Sequence, residues 1–333
     1  MTKPEFRQAS SQNLHALHQD VAKGLRKIAA HPVIREKFSA DPFIKQFFTE
    51  TVARYIIGKS MSEAADKFDV LSVKGYLAGV EFVGEEISDG GQVEQVVEEN
   101  IRFLLHARGR PFSDGLQLGF DLSSVGMLIS RELAMTNTAR IAKVAAEQGA
   151  TIMISMERST QTDTILDAFH QLAPSHENLG LTIQAYMHRT EVDLPKLIKT
   201  RRKIRLVKGV YDEHSSLTLP RGKELDVRYV ECIEKLAEAG SRFAVATHDP
   251  AIIDMLNARG LLDAAEELEG LHGCNPSLFH TLNNEGHRCR ITGVYGEEWL
   301  LHFLHRLAEH PPNALQALAD FYNPDRVVFG ADY

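Results

Sequence analysis

The chain has 333 residues, 44% of them apolar, which is enough to bury one large core, and its 25% charged content excludes a disordered polymer. A formal charge of −8 argues against a phosphate-neutralising surface, so no nucleic acid is expected and a small molecule is the expected partner. Three cysteines, Cys232, Cys274 and Cys289, are an odd number without C-x-x-C spacing, so neither a disulfide framework nor a metal site is expected.

Met1 to Gln19 is polar and lacks the apolar stretch of a signal peptide, and no later run approaches about 18 apolar residues, so a cytoplasmic protein with no transmembrane segment is expected. From about Leu14 to Asp69 apolar residues recur at helical steps (Ile44, Phe47, Phe48, Val52, Tyr55, Ile56). This predicts a helical arm over residues 1–70. From residue 78 short apolar runs alternate with amphipathic stretches, the form of repeated β/α units. Strands are predicted at Gly79–Val83, Leu116–Leu122, Thr151–Met156, Leu181–Ala185, Ile204–Lys208, Phe243–Thr247, Glu266–Leu271 and Cys289–Thr292. Eight is the number of a closed barrel, here over residues 71–333, and the acidic seventh strand rests on its neighbours' spacing. A last helix starts near Glu297 and is stopped at Pro311-Pro312, with Leu300, Phe303, Leu304, Leu307 and Ala308 on one face and His302, His305, Arg306 and Glu309 on the other.

Polar residues gather where these strands end: Glu85, Asp121 with Ser123, Ser155 with Glu157, Gln184 with Tyr186, Lys208 with Tyr211, Thr247 with His248, His272 and Thr292. Any one of them is explained as a strand cap, but their convergence at the face where barrels carry chemistry marks a site. Arg205 to Asp212 is the most informative stretch, a β-rich run that stops abruptly in Lys208-Gly209 and is followed by Tyr211. No G-x-G-x-x-G follows a strand, so a Rossmann nucleotide site is not expected.

Arg205-Leu206-Val207-Lys208-Gly209-Val210-Tyr211 resembles the fifth strand of the proline dehydrogenase family. Further motifs are similar in the same order: Arg54-Tyr55-Ile56-Ile57-Gly58, Val80-Glu81-Phe82-Val83-Gly84-Glu85-Glu86, Met156-Glu157, Ile183-Gln184-Ala185-Tyr186, Ala246-Thr247-His248-Asp249, and Tyr295-Gly296-Glu297-Glu298-Trp299 leading to His305-Arg306. The resemblance runs from about residue 50 to 313 and is to the monofunctional bacterial type. It implies a distorted (β/α)8 TIM barrel that holds FAD and removes hydride from a carbon next to an amine nitrogen. The implied FAD positions are Gln184, Arg205, Val207, Lys208, Gly209, Thr247, His248, Arg306 and Glu309, and Tyr211 and Leu271 are implied to pack the substrate ring. A quinone or oxygen would reoxidise the flavin, with peripheral membrane contact an open option.

The substrate positions depart from the family. Asp121 stands where a Lys is expected, His305 where the first of two Arg is expected, Thr292 for a Tyr, Ser155 for an Asp and Glu269 for a Gln, while Arg306 is retained. Two unit charges about 4 Å apart interact by roughly 4 kcal/mol at an effective dielectric near 20, so Asp for Lys beside a carboxylate disfavours free L-proline as best substrate. Either Asp121 and His305 face each other, or Asp121 grips a cationic group. The expected activity is oxidation of a proline-like cyclic or secondary amine to an imine. The alternatives are an ordinary L-proline dehydrogenase and a flavin-binding sensor or scaffold without catalysis.

Overall fold

In the computed structural model, which describes residues 3–29, 31–84 and 87–333, eight parallel strands close into a barrel in sequence order. They are β1 (Leu77–Phe82), β2 (Gln117–Phe120), β3 (Thr151–Ile154), β4 (Leu179–Gln184), β5 (Lys203–Val207), β6 (Phe243–Ala246), β7 (Glu267–Leu271) and β8 (Cys289–Tyr295). Helices α1 (Lys3–Ala29), α2 (Pro32–Ala40), α3 (Pro42–Val52) and α4 (Met61–Val73) precede β1. Between strands run α5 (Gly90–His106), α6 (Arg131–Glu147), α7 (Thr162–Leu172), α8 (Thr190–Ile198), α9 (Lys223–Glu238), α10 (Pro250–Asn257) and α11 (Pro276–Asn284), and α12 (Leu300–Glu309) and α13 (Pro312–Tyr322) follow β8. The expected barrel and helical arm are both present.

β2 and β8 differ most in length from expectation. β2 stops at Phe120 because Asp121 opens a tight 3-10 turn over Leu122–Ser124, fixed by Ser124 N donating to Asp121 O at 3.1 Å. β8 runs past Thr292 to Tyr295, since Ile57 N donates to Val294 O and Val83 N to Tyr295 O. Thr292 therefore lies in mid-strand and not at a strand end. Pro311-Pro312 does end α12, but Pro312 also sits in the first turn of α13, where its missing N–H costs nothing, so the stop is at once a start. Glu85, expected at the end of β1, lies outside the described residues.

Strand side chains alternate between two faces. In β5, Ile204 and Leu206 face the helical layer, where Tyr229 of α9 donates its hydroxyl to Leu206 O at 2.9 Å, while Lys203 and Arg205 point into the barrel. The interior is polar in two layers. In the lower one Glu267 accepts from Lys203 Nζ at 2.7 Å and from Arg290 Nε and Nη2 at 2.6 and 2.8 Å, all three side chains being almost wholly buried. Burial alone would raise the Glu267 carboxyl, but the Arg290 and Lys203 charges outweigh it and hold it at about 2. Gly79 makes room for this packing, since a Cβ there would stand 2.2 Å from Thr292 Oγ1 and 3.1 Å from Arg290 Cδ.

The chain divides into two compact units that do not follow the 70/71 partition: Met1–Ile56 with Glu298–Phe329, and Ile57–Glu297 with Gly330–Tyr333. In the helical unit α1 packs along α12 and α13 against α3, with Tyr55, Phe303 and Trp299 in ring contact and Arg54 gripping the buried Asp320 through Nε at 2.6 Å and Nη2 at 3.0 Å. In the barrel unit the three cysteines are buried and outside any disulfide, and burial pushes the thiols of Cys232 and Cys289 up to about 11 and about 12. No helix among the described residues is long and apolar enough to cross a membrane.

Candidate active site

Seven of the nine positions expected to bind a cofactor lie on or just after three adjacent strands at one edge, and the other two, Arg306 and Glu309, lie on α12. The registers Gln184↔Val207 and Leu206↔Val245 bring the C-terminal ends of β4, β5 and β6 side by side, with Lys208, Gly209, Thr247 and His248 in the loops that follow. Gln184 Nε2 donates to Glu157 O at 3.0 Å, and Glu157 Oε1 accepts from Ser123 N at 3.0 Å, tying the ends of β2, β3 and β4 together. Thr247 Oγ1 accepts from Asp249 N at 3.2 Å, which leaves its hydroxyl hydrogen to donate elsewhere. His248 Nε2 accepts from Leu271 N at 2.7 Å, so the ring is neutral with its proton on Nδ1, and Leu271 is placed beside it.

Lys208 is the cation of this edge. Its Nζ lies 2.7 Å from Asp249 Oδ2 and 2.7 Å from Asp226 Oδ1, and burial of Asp249 is outweighed by Lys208, which lowers the Asp249 carboxyl. Gly209 has φ +113°, and a Cβ on it would stand 2.3 Å from the Tyr186 ring. Gly209→Ala is therefore expected to strain this turn twice over, costing about 1–3 kcal/mol and releasing flavin; a melting curve and the flavin-to-protein absorbance ratio measure both.

Arg205 is the hub of the upper interior layer. Its Nε donates to Thr182 Oγ1 at 2.9 Å, Nη1 to Glu269 Oε1 at 2.8 Å and Glu81 Oε1 at 3.3 Å, and Nη2 to Ser155 Oγ at 3.2 Å. Glu269 also accepts from Thr292 Oγ1 at 2.7 Å and Gln117 Nε2 at 3.2 Å. The barrel thus brings together three expected positions, with Thr292 on Glu269 and Ser155 on Arg205 at the two sides of the Arg205–Glu269 pair. Arg205, expected among the FAD positions, is a guanidinium already engaged from within the barrel.

The remaining expected positions are more dispersed. Asp121 directly follows β2, where Ser155 N donates to Phe120 O at 3.0 Å, so Asp121 and Ser155 begin adjacent loops. Tyr211 lies in the loop after β5 with the Arg158 guanidinium 5.2 Å over its ring, and Glu213 of the same loop accepts from Ser159 N at 2.7 Å. His305, Arg306 and Glu309 lie on α12 of the helical unit, where Arg306 Nη1 donates to Glu309 Oε2 at 2.5 Å.

Glu81, Gln117, Thr182, Lys203, Glu267 and Arg290 were not expected at an interior site. Their signal is period-two polarity within strands: Lys203/Arg205, Glu267/Glu269 and Arg290/Thr292 each put two polar groups on one face. Among the described residues no group of three or more His, Cys, Asp or Glu side chains is arranged to hold a metal ion.

The residue types at the β4–β6 edge suit a flavin dinucleotide: a lysine ammonium and a threonine hydroxyl follow β5 and β6, beside a glycine turn that permits close approach. Comparison with known proteins points the same way. The family profile described as proline dehydrogenase matches residues 64–310. Proline dehydrogenase 1 of Bacillus subtilis (strain 168) is 31% identical over 277 residues, covering 82% of this chain and 91% of that protein. Proline dehydrogenase of Deinococcus radiodurans is 30% identical over 293 residues, covering 84% and 93%. In fold the chain resembles proline utilization A (PutA) from Bdellovibrio bacteriovorus, with a TM-score of 0.69 at 17% identity over 86% of this chain and 35% of that one.

Proposed function

The chain belongs to the proline dehydrogenase family, and we propose that it oxidises a proline-like cyclic or secondary amine whose carboxylate is absent or masked, in preference to free L-proline. As a member of that family it is an FAD-dependent oxidoreductase acting on a CH–NH group. Bound FAD supplies the acceptor for the hydride that leaves the carbon next to nitrogen, at flavin N5, and a quinone or oxygen takes the electrons onward. On this reading Lys208, Thr247, His248 and Gln184 hold the cofactor at the β4–β6 edge. Gly209 and Val207 shape the strand end on which it rests, and Tyr211 and Leu271 pack the substrate ring. Roles for His305, Arg306 and Glu309 rest on the family resemblance.

The observation that carries the substrate reading is charge balance on β5 and in the loop that follows it. Arg205 stands between Glu269 and Glu81, Lys208 between Asp226 and Asp249, and Asp121 adds another carboxylate just after β2. A substrate carboxylate entering this end of the barrel meets cations that already face two acids each. At about 4 Å each like-charge contact costs roughly 4 kcal/mol at an effective dielectric near 20, whereas a protonated amine is attracted by the same groups.

A second reading, oxidation of L-proline itself, is favoured by the names of the relatives, which match over nine-tenths of their length. FAD is expected to copurify, and under anaerobic conditions its absorbance bands should bleach on addition of pyrrolidine or L-proline methyl ester. A colourless protein that cannot be reconstituted with FAD would end the flavoenzyme account, and bleaching by L-proline alone would select the second reading.

A further inference from the structure

Glu269 ties four strands of the barrel together. From the inward face of β7 its Oε1 accepts from Arg205 Nη1 on β5 and Thr292 Oγ1 on β8, and its Oε2 from Gln117 Nε2 on β2. Its side chain is 3% exposed, and although burial alone raises the carboxyl, the Arg205 charge outweighs it and keeps it ionised. Glu81 meets the same guanidinium from β1, at 3.3 Å from Nη1 and 3.4 Å from Nη2, and is 24% exposed. Its Oε2 has no hydrogen-bond partner among the described residues. The Arg205 plane is thus fixed by Thr182 and Glu269, and one positive charge sits between two negative ones.

We propose that Glu269 is a positioning residue for the amine oxidation: it sets the orientation and cancels the charge of Arg205, and so decides whether this end of the barrel accepts an anionic group. The inference rests on the reading that a carboxylate is disfavoured here, and it names the residue responsible. A glutamine at 269 keeps the shape and the acceptor for Arg205 and Thr292 while removing the charge. Its new N–H has a place to go, because Gln117 Oε1 is buried without a partner and that amide can turn over to accept it. The cluster would then pass from net negative to neutral, and an entering carboxylate would find a guanidinium with one acid fewer.

The test uses flavin-loaded wild type, Glu269→Gln, Glu269→Asp and Glu81→Gln. Cyclopentanecarboxylate, a proline-shaped anion with no C–N bond to oxidise, is titrated against the flavin absorbance, and kcat and KM are measured for L-proline and its methyl ester. Glu269→Gln is expected to tighten the anion by about tenfold and to lower KM for L-proline more than it changes kcat, with no such gain for the ester. Glu269→Asp, which keeps the charge, should bind the anion as wild type does, and Glu81→Gln should tighten it by roughly threefold. If Glu269→Gln fails to fold, the more exposed Glu81→Gln decides. Anion affinity no tighter than wild type in the folded charge-removing variants overturns the inference, as does equal tightening in Glu269→Asp. A wild type that prefers L-proline to its ester overturns the substrate reading instead, which the anion titration does not depend on.

Discussion

Glu267→Gln is expected to destabilise the protein by about 3–5 kcal/mol, on the order of 10 °C in melting temperature, although residue 267 touches no expected substrate or cofactor position. The reason is the lower interior layer. Glu267 is the acid that Arg290 Nε and Nη2 both reach, and although Lys203 has a second acid in Glu266 at 3.3 Å, Arg290 would be left facing only neutral oxygens, those of Ala78, Gly115 and the new amide. A buried cation stripped of its partner costs far more than an intact pair contributes. Glu94→Gln is the control: Glu94 pairs with Arg140 at 2.9 Å on the surface, its side chain is 52% exposed, and its loss should stay within about 1 kcal/mol. The sign of the pH effect follows from the lowered carboxyl. Glu267 lies at about 2 in the folded chain against an ordinary value of 4.5, so its contribution is fully present above pH 4.5 and lost as the pH falls toward about 2. Urea titrations across that window should show wild-type stability falling more steeply with acid than that of Glu267→Gln. Parallel slopes would mean that residue 267 is not ionised in the barrel.

Asp121→Lys is expected to raise kcat/KM for L-proline by about tenfold to a hundredfold while leaving that for the methyl ester unchanged or lower. The substitution reverses a charge immediately after β2, in the loop beside Ser155. At about 4 Å each unit charge acts on a carboxylate by roughly 4 kcal/mol at an effective dielectric near 20, and Asp121 is half-buried, so solvent takes part of the swing. Steady-state kinetics on both substrates, with flavin content matched, give the ratio. A fall in L-proline activity on Asp121→Lys would show that Asp121 supports binding of proline.

All eight strands were legible because each outward face is apolar and each run ends in polar residues at a barrel's usual interval. The helical arm was legible for the same reason of period. The barrel interior was harder to read. Arg205 and Lys208 look like a matched pair of cofactor cations in the sequence, yet one residue of phase separates their environments: Arg205 points into the closed barrel, and Lys208 lies in the loop beyond it. What neutralises Arg205 is Glu269, 64 positions away, and no local pattern shows that two strands apart on a ring bring them to 2.8 Å. The acidity of β7, which weakened it as a predicted strand, is the complement of the basic residues on β5 and β8. Thr292 was placed at a strand end, one residue before Gly293. In the structure Gly293 is there because its Cβ would strike Ile57 at 2.7 Å, and the strand continues through it.

The most direct test of the substrate account is a comparison of rate constants for anaerobic flavin bleaching by L-proline, L-proline methyl ester and pyrrolidine in the wild-type protein. The account predicts that the ester or pyrrolidine exceeds L-proline by at least about tenfold in second-order rate, because the carboxylate meets Glu81, Glu269 and Asp121 where Arg205 of β5 and Lys208 of the following loop are already engaged. L-proline bleaching the flavin faster than both would contradict it.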